Sequence, residues 1–157
     1  MELVNQVLSA VSATLFDAFG CEIYRQPVEQ GYETPCFFLF ADNLREKRYI
    51  GGRTLHAFRV TAEYLPPEDG QRREAALEAS GRLFRLLDRI RTEAGDFLCC
   101  NKQAEFGVVA RGFSRGFEVS DELLRFTFTI QYFTADGGDD DAPAVPMEKL
   151  IMKGENR

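Results

Sequence analysis

The chain has no tryptophan, one histidine and no Cys-x-x-C pair. A hydrolytic triad needs a base, an acid that orients it and a nucleophile. The sole histidine, His56, sits in phase with apolar residues of an alternating stretch, so a packed strand residue is the simpler reading. Cys21, Cys36, Cys99 and Cys100 miss the spacings of zinc and redox sites. Adjacent Cys99 and Cys100 could bridge only through a strained ring, and free cysteine is among the most buried residue types. Core or strand-edge positions are expected for them.

No stretch approaches the ~20 apolar residues of a membrane span. The start, MELVNQVLSAVSATLF, lacks a basic leader and carries Glu2, so no export signal is expected and reduced thiols in a cytoplasm follow. Gly51-Gly52 and Gly137-Gly138 lack the spacing of a phosphate-binding loop. Asp139-Asp140-Asp141 lacks the spaced loop of a calcium site and reads as a solvated acidic run. No metal, cofactor or membrane partner is expected. Nor is there a positive excess: the net charge of −6 argues against binding driven by phosphate neutralisation. RGFSRGF, residues 111–117, is more simply a loop than an RNA contact.

What the chain has is a core. Hydrophobic residues make up 45% and fourteen are phenylalanine, enough for one α+β domain over residues 1–134. Residues 135–157 differ. They hold six acidic and three basic residues, a net −3, so half the negative excess lies there. ADGGDDDAPAVP has no packable pattern and reads as a linker. It ends in a small amphipathic segment, 147–152, with Leu150 and Ile151, which we expect to dock on a neighbouring subunit.

Val4, Val7, Leu8, Val11, Leu15 and Phe19 recur at helical spacing, predicting a helix over 3–19 that Gly20 stops. A short strand follows at 21–26. PVEQGYETPCFFLF, 27–40, is a polar turn feeding an unbroken apolar run from Cys36 to Phe40, predicted as a strand covered on both faces at the centre of a sheet. NLREKRYIGG, 43–52, reads as a charged hairpin or loop. Residues 53–65 alternate as a strand with one wetter face, ended by Pro66-Pro67. A helix is predicted over 68–91, with Glu68, Asp69 and Glu74 at its start and Arg85, Arg89 and Arg91 at its end. Strands at 97–100 and 103–110, the glycine-rich link, a turn at Ser120-Asp121 and a strand at 122–134 complete the domain. In that strand Leu124, Phe126, Phe128, Ile130 and Tyr132 face inward. The sum is a two-layer α+β fold: a mostly antiparallel sheet with two amphipathic helices on one face.

Two groups are candidate subunit or partner contacts. Glu29, Gln30 and Tyr32 either set the entry of the apolar strand or meet a neighbour. Arg45, Lys47, Arg48 and Arg53 are either a solvated tip or a surface where cations meet carboxylates, the acidic C-terminal segment being one partner.

Ile23-Tyr24, Glu29-Gln30-Gly31 and Pro35-Cys36-Phe37-Phe38, followed by Tyr64-Leu65-Pro66, the helix through Leu83, and Leu124-Arg125-Phe126 with Tyr132, resemble the small tail terminator proteins of phages and phage-tail-like particles. The resemblance spans about residues 1–134. It implies a structural virion protein and not an enzyme. Such subunits form a ring, usually a hexamer, at the head-proximal end of the tail tube. The ring stops tube polymerisation and offers a joining surface to the head-completion proteins of the neck. It implies as partners other copies of the chain, the tube protein, the neck protein and, in a contractile tail, the sheath, with DNA only in transit. Assembly would take place in the host cytoplasm. The competing readings are another head–tail adaptor or tube protein, and a small ligand-binding or enzymatic domain.

Overall fold

A computed structural model describes residues 2–26, 31–67, 71–110 and 120–135. The elements are α1 (Glu2–Phe19), β1 (Glu22–Tyr24), β2 (Cys36–Tyr49), β3 (Arg53–Leu65), α2 (Arg72–Leu86), β4 (Arg89–Thr92), β5 (Gly95–Ala110) and β6 (Ser120–Ala135). One six-stranded, curled sheet runs in the order β1-β2-β3-β6-β5-β4. The β1–β2 pair is parallel and the other four are antiparallel, so the fold is α+β with a mixed sheet.

The first helix forms as its period dictates. Val7, Val11 and Leu15 are fully buried on one face. Gly20 ends it with a left-handed φ of +65°, donating its N–H to the Phe16 carbonyl at 2.8 Å. The main core joins these residues to Ala76, Ala79 and Leu83 of α2. Phe37, Leu39, Phe58, Val60, Ala62, Leu124, Phe126, Phe128 and Ile130 complete it from one face of β2, β3 and β6. The inward residues predicted for β6 are therefore core residues, although Tyr132 at the end is only partly buried. A second, smaller cluster, Cys36, Phe38, Leu65 and Leu123, lies across the sheet, with Tyr24 and Tyr32 packed against it.

Several expectations are corrected. The apolar run from Cys36 is covered on both faces but is not central: β3 and β6 hold the middle of the sheet. Two separate clusters cover it, Phe37 and Leu39 in one and Cys36 and Phe38 in the other, which is why it reads like a central strand. Of the two readings of 43–52, hairpin or loop, the structure has the hairpin, with 43–49 as the second half of β2, paired with β3 up to Tyr49↔Arg53. The wetter face of β3 is covered at its end, where Thr61 and Glu63 are buried. The second helix stops at Leu86, and Arg89–Thr92 is a strand in which Ile90 is buried and Arg89 and Arg91 are exposed. Leu83, Leu87 and Ile90 fit helical spacing as well as this helix-to-strand passage, so periodicity could not separate them. Its predicted start, Glu68 and Asp69, lies outside the described residues.

The two strands predicted at 97–100 and 103–110 are one, β5, with a register shift between Cys100 and Gln103. Asn101, at φ +51°, lies in the bulge that takes up the one extra residue of β5; asparagine tolerates that conformation better than most. Ser120 and Asp121 open β6, pairing with Ala110 and Val109, and form no turn there. The link at 111–117 lies outside the described residues.

Candidate functional site

β2 is the element on which the candidate site rests. Its register against β3 shifts between Asp42 and Arg45, with Asn43 at φ +54°. Beyond this bulge every residue of β2 from Asn43 to Tyr49 is exposed. A three-residue turn, Ile50-Gly51-Gly52, then reverses the chain. Gly51 and Gly52 have φ of +93° and +74°, angles glycine adopts without the penalty a side chain brings. The turn has to close this hairpin tightly, and Ile50 stands at its tip with 98% of its surface exposed.

The register sorts the hairpin's side chains. Arg45, Lys47 and Tyr49 oppose Ala57, Leu55 and Arg53, and Leu55 in turn opposes Phe133 of β6. Directly opposed residues of an antiparallel pair share a face. One face of the hairpin therefore carries Arg45, Lys47, Tyr49, Arg53 and Phe133. The Tyr49 and Phe133 rings lie 5.8 Å apart. Lys47 sits 5.4 Å from the Tyr49 ring centre, and the Arg53 guanidinium 5.7 Å from that of Phe133. These cation–aromatic contacts place Lys47 and Arg53 beside the paired rings. Among the described residues, none of Arg45, Lys47 and Arg53 has a carboxylate within ion-pair reach. Arg48 alternates to the other side, opposite Thr54.

Further along the sheet the same face is fully paired. Asp42 accepts two hydrogen bonds from Arg59, its register partner, both at 2.8 Å. This holds the Asp42 carboxyl below its ordinary range. Arg125 donates to the buried Glu63 at 3.0 and 3.2 Å and lies 4.0 Å from Glu105. Arg45, Lys47 and Arg53, without a carboxylate partner among the described residues, thus differ from Arg59 and Arg125, whose cross-strand charges are matched.

Of the predicted site residues, the structure brings Arg45, Lys47 and Arg53 together on one face and turns Arg48 away from them. Tyr32 is elsewhere. Its ring meets Phe38 edge-on at 5.6 Å, at the far end of β2, roughly 30 Å from Lys47 at ~3.3 Å per strand residue. Glu29, Gln30, Leu150 and Ile151 lie outside the described residues. Tyr49, Ile50 and Phe133 were not singled out from sequence. Continuing the strand alternation of 43–49 through the Gly-Gly turn would have found Tyr49.

The residues with catalytic potential are used in packing. His56 Nε2 is 2.8 Å from the Thr134 hydroxyl, its Nδ1 3.9 Å from Glu46, and its ring stacks on Tyr132 at 4.8 Å. Cys21, Cys36 and Cys99 are buried free thiols. Burial pushes Cys99 up to about 12 and Cys21 up to about 11, so both stay protonated and unreactive near neutrality. An apolar groove lined by Tyr24, Arg25, Gln26, Phe38, Leu39, Phe40 and Glu63 does not include His56. Among the described residues no cluster of histidine, cysteine or carboxylate groups could hold a metal ion. No described helix is long and apolar enough to cross a membrane.

A fold of this kind, with exposed charge on a hairpin and packed histidine and thiols, fits an assembly subunit. A family model described as phage tail terminator protein matches residues 6–142, most of the chain. The chain belongs to the phage tail terminator family. The chain is thus a structural protein of the virion tail or neck. No curated protein matches the chain.

Proposed function

We propose that the protein forms a ring on the head-proximal end of the tail tube, stops tube growth there and presents the joining surface for the neck. The observation that carries this reading is the family match over residues 6–142. The geometry supports it with a surface of the right kind: an exposed hairpin whose face carries three cations, two of them, Lys47 and Arg53, beside aromatic rings. Neighbouring carboxylates would guide encounter and fix register, and the rings would add desolvated contact area. Identical subunits meeting head to tail close into a ring, which we take to be hexameric.

In this reading the two helices form a second layer on one face of the sheet, leaving the hairpin to reach outward. Leu150 and Ile151 dock on the neighbouring subunit, and Glu29 and Gln30 belong to the subunit contact. The tube protein and the neck protein are the partners on the two ring faces, with the sheath a third where the tail contracts. The ring assembles in the host cytoplasm.

Electron microscopy of particles made without this gene tests the function. Overlong tails, or tails without heads, are expected. Tails of regular length joined to heads would refute it.

A further inference from the structure

The hairpin's cationic face and the start of the acidic C-terminal segment occupy the same place. In the register, Ala135, the last residue of β6, is the partner of Arg53, and Arg53 is the partner of Tyr49. The chain therefore leaves the sheet at the hairpin tip, two strands away from Lys47. With strands ~4.8 Å apart and ~3.3 Å per residue, Ala135 and Lys47 are separated by roughly 12 Å. Asp136, Asp139, Asp140 and Asp141 follow within six residues, a length that spans up to ~20 Å extended.

We propose that the acidic run 136–141 folds back over the Arg45, Lys47 and Arg53 face of its own hairpin and covers it in the free subunit. Three observations meet in this. The three cations lack a carboxylate partner among the described residues, whereas Arg59 and Arg125 on the same sheet face have theirs. Four carboxylates emerge beside them. The short connection gives these carboxylates a local concentration that another chain does not match in dilute solution. A partner approaching the hairpin must then displace the acidic run, so the segment screens the cationic face until a better-matched surface arrives.

Zero-length carbodiimide crosslinking of the full chain tests the contact. It joins a lysine to a carboxylate only when the two touch. An equal mixture of unlabelled and nitrogen-15-labelled chains separates contacts within one chain from those between chains. Crosslinks from Lys47 to Asp139, Asp140 or Asp141 are expected in isotopically pure pairs. They should be lost at about 1 M salt, where the screening length falls to ~3 Å. The Lys102–Asp88 ion pair of the folded domain serves as an internal standard. If that crosslink forms and none joins Lys47 to 136–141, the proposal is wrong. Crosslinks of which about half join a light to a heavy chain, the share that random pairing between chains gives in an equal mixture, would overturn it too. The contact lies within one chain, so either failure leaves the ring reading untouched.

Discussion

β2 is one strand with two halves that live in different surroundings. Cys36, Phe37, Phe38 and Leu39 are buried, Phe37 with no exposed surface at all. Past the bulge, Asn43 to Tyr49 are all exposed. The backbone pairing to β3 is continuous on both sides of the bulge, so hydrogen bonding does not distinguish the halves. Side-chain surroundings do. The first half is held by two hydrophobic clusters and ties the sheet to α1 through the Phe19–Phe37 ring contact at 5.0 Å. The second half contributes little burial and carries Arg45 and Lys47, which have no carboxylate partner among the described residues. Core packing and exposed charge are thus placed on one element and separated by a bulge at Asn43.

That contrast can be broken from the folding side first. Phe37→Ala removes a ring wedged between Phe19 and Tyr64, and is expected to cost about 3–5 kcal/mol of stability in chemical denaturation. A loss below ~1 kcal/mol would mean that this half of β2 is not core. Next is Arg125→Met, which strips the buried Glu63 of its register partner. A cost of about 1–3 kcal/mol is expected, restrained by the partial exposure of the arginine. Gly51→Ala tests whether the hairpin is fixed by its turn. No atom crowds the position, so the expected cost of ~1 kcal/mol is that of the left-handed backbone alone.

Asp42→Asn, at the bulge itself, has a smaller effect, present at neutral pH and gone in acid. The folded carboxyl is held below its ordinary value of 3.8 by Arg59. The pair's contribution is therefore present above that value and is lost as pH falls through the lower, folded value. The variant should be slightly less stable than the native protein at neutral pH and match it once Asp42 is protonated, so the acid limb of its stability–pH curve is flatter. Smallest of all is the double substitution Arg45→Glu and Lys47→Glu. Both residues are exposed, so stability should change by no more than about 0.5 kcal/mol.

Much of the fold was legible because its strongest periods are simple. Strand β3 runs from Arg53 to Leu65, as the alternation of His56, Phe58, Val60, Ala62 and Tyr64 and the stop at Pro66-Pro67 predict. What was hidden had two physical causes. Ile90 satisfies helical and strand spacing at once, so the end of α2 was overextended into β4. Asn43 and Asn101 mark bulges, where alternation slips and a continuous strand looks like a strand and a loop, or like two strands. Of the site, the cations were visible as composition, but their division into Arg45, Lys47 and Arg53 against Arg48 depends on the register past the bulge. Tyr49 and Phe133, the rings beneath the cations, come from opposite ends of the chain and meet only through β3.

The central claim is that the exposed half of β2 serves assembly and not folding. Electron microscopy of tails made with the Arg45→Glu and Lys47→Glu variant, alongside its denaturation curve, tests it most directly. The account predicts a protein as stable as the native one with overlong or headless tails. Tails of native length joined to heads, made by that equally stable variant, would contradict it.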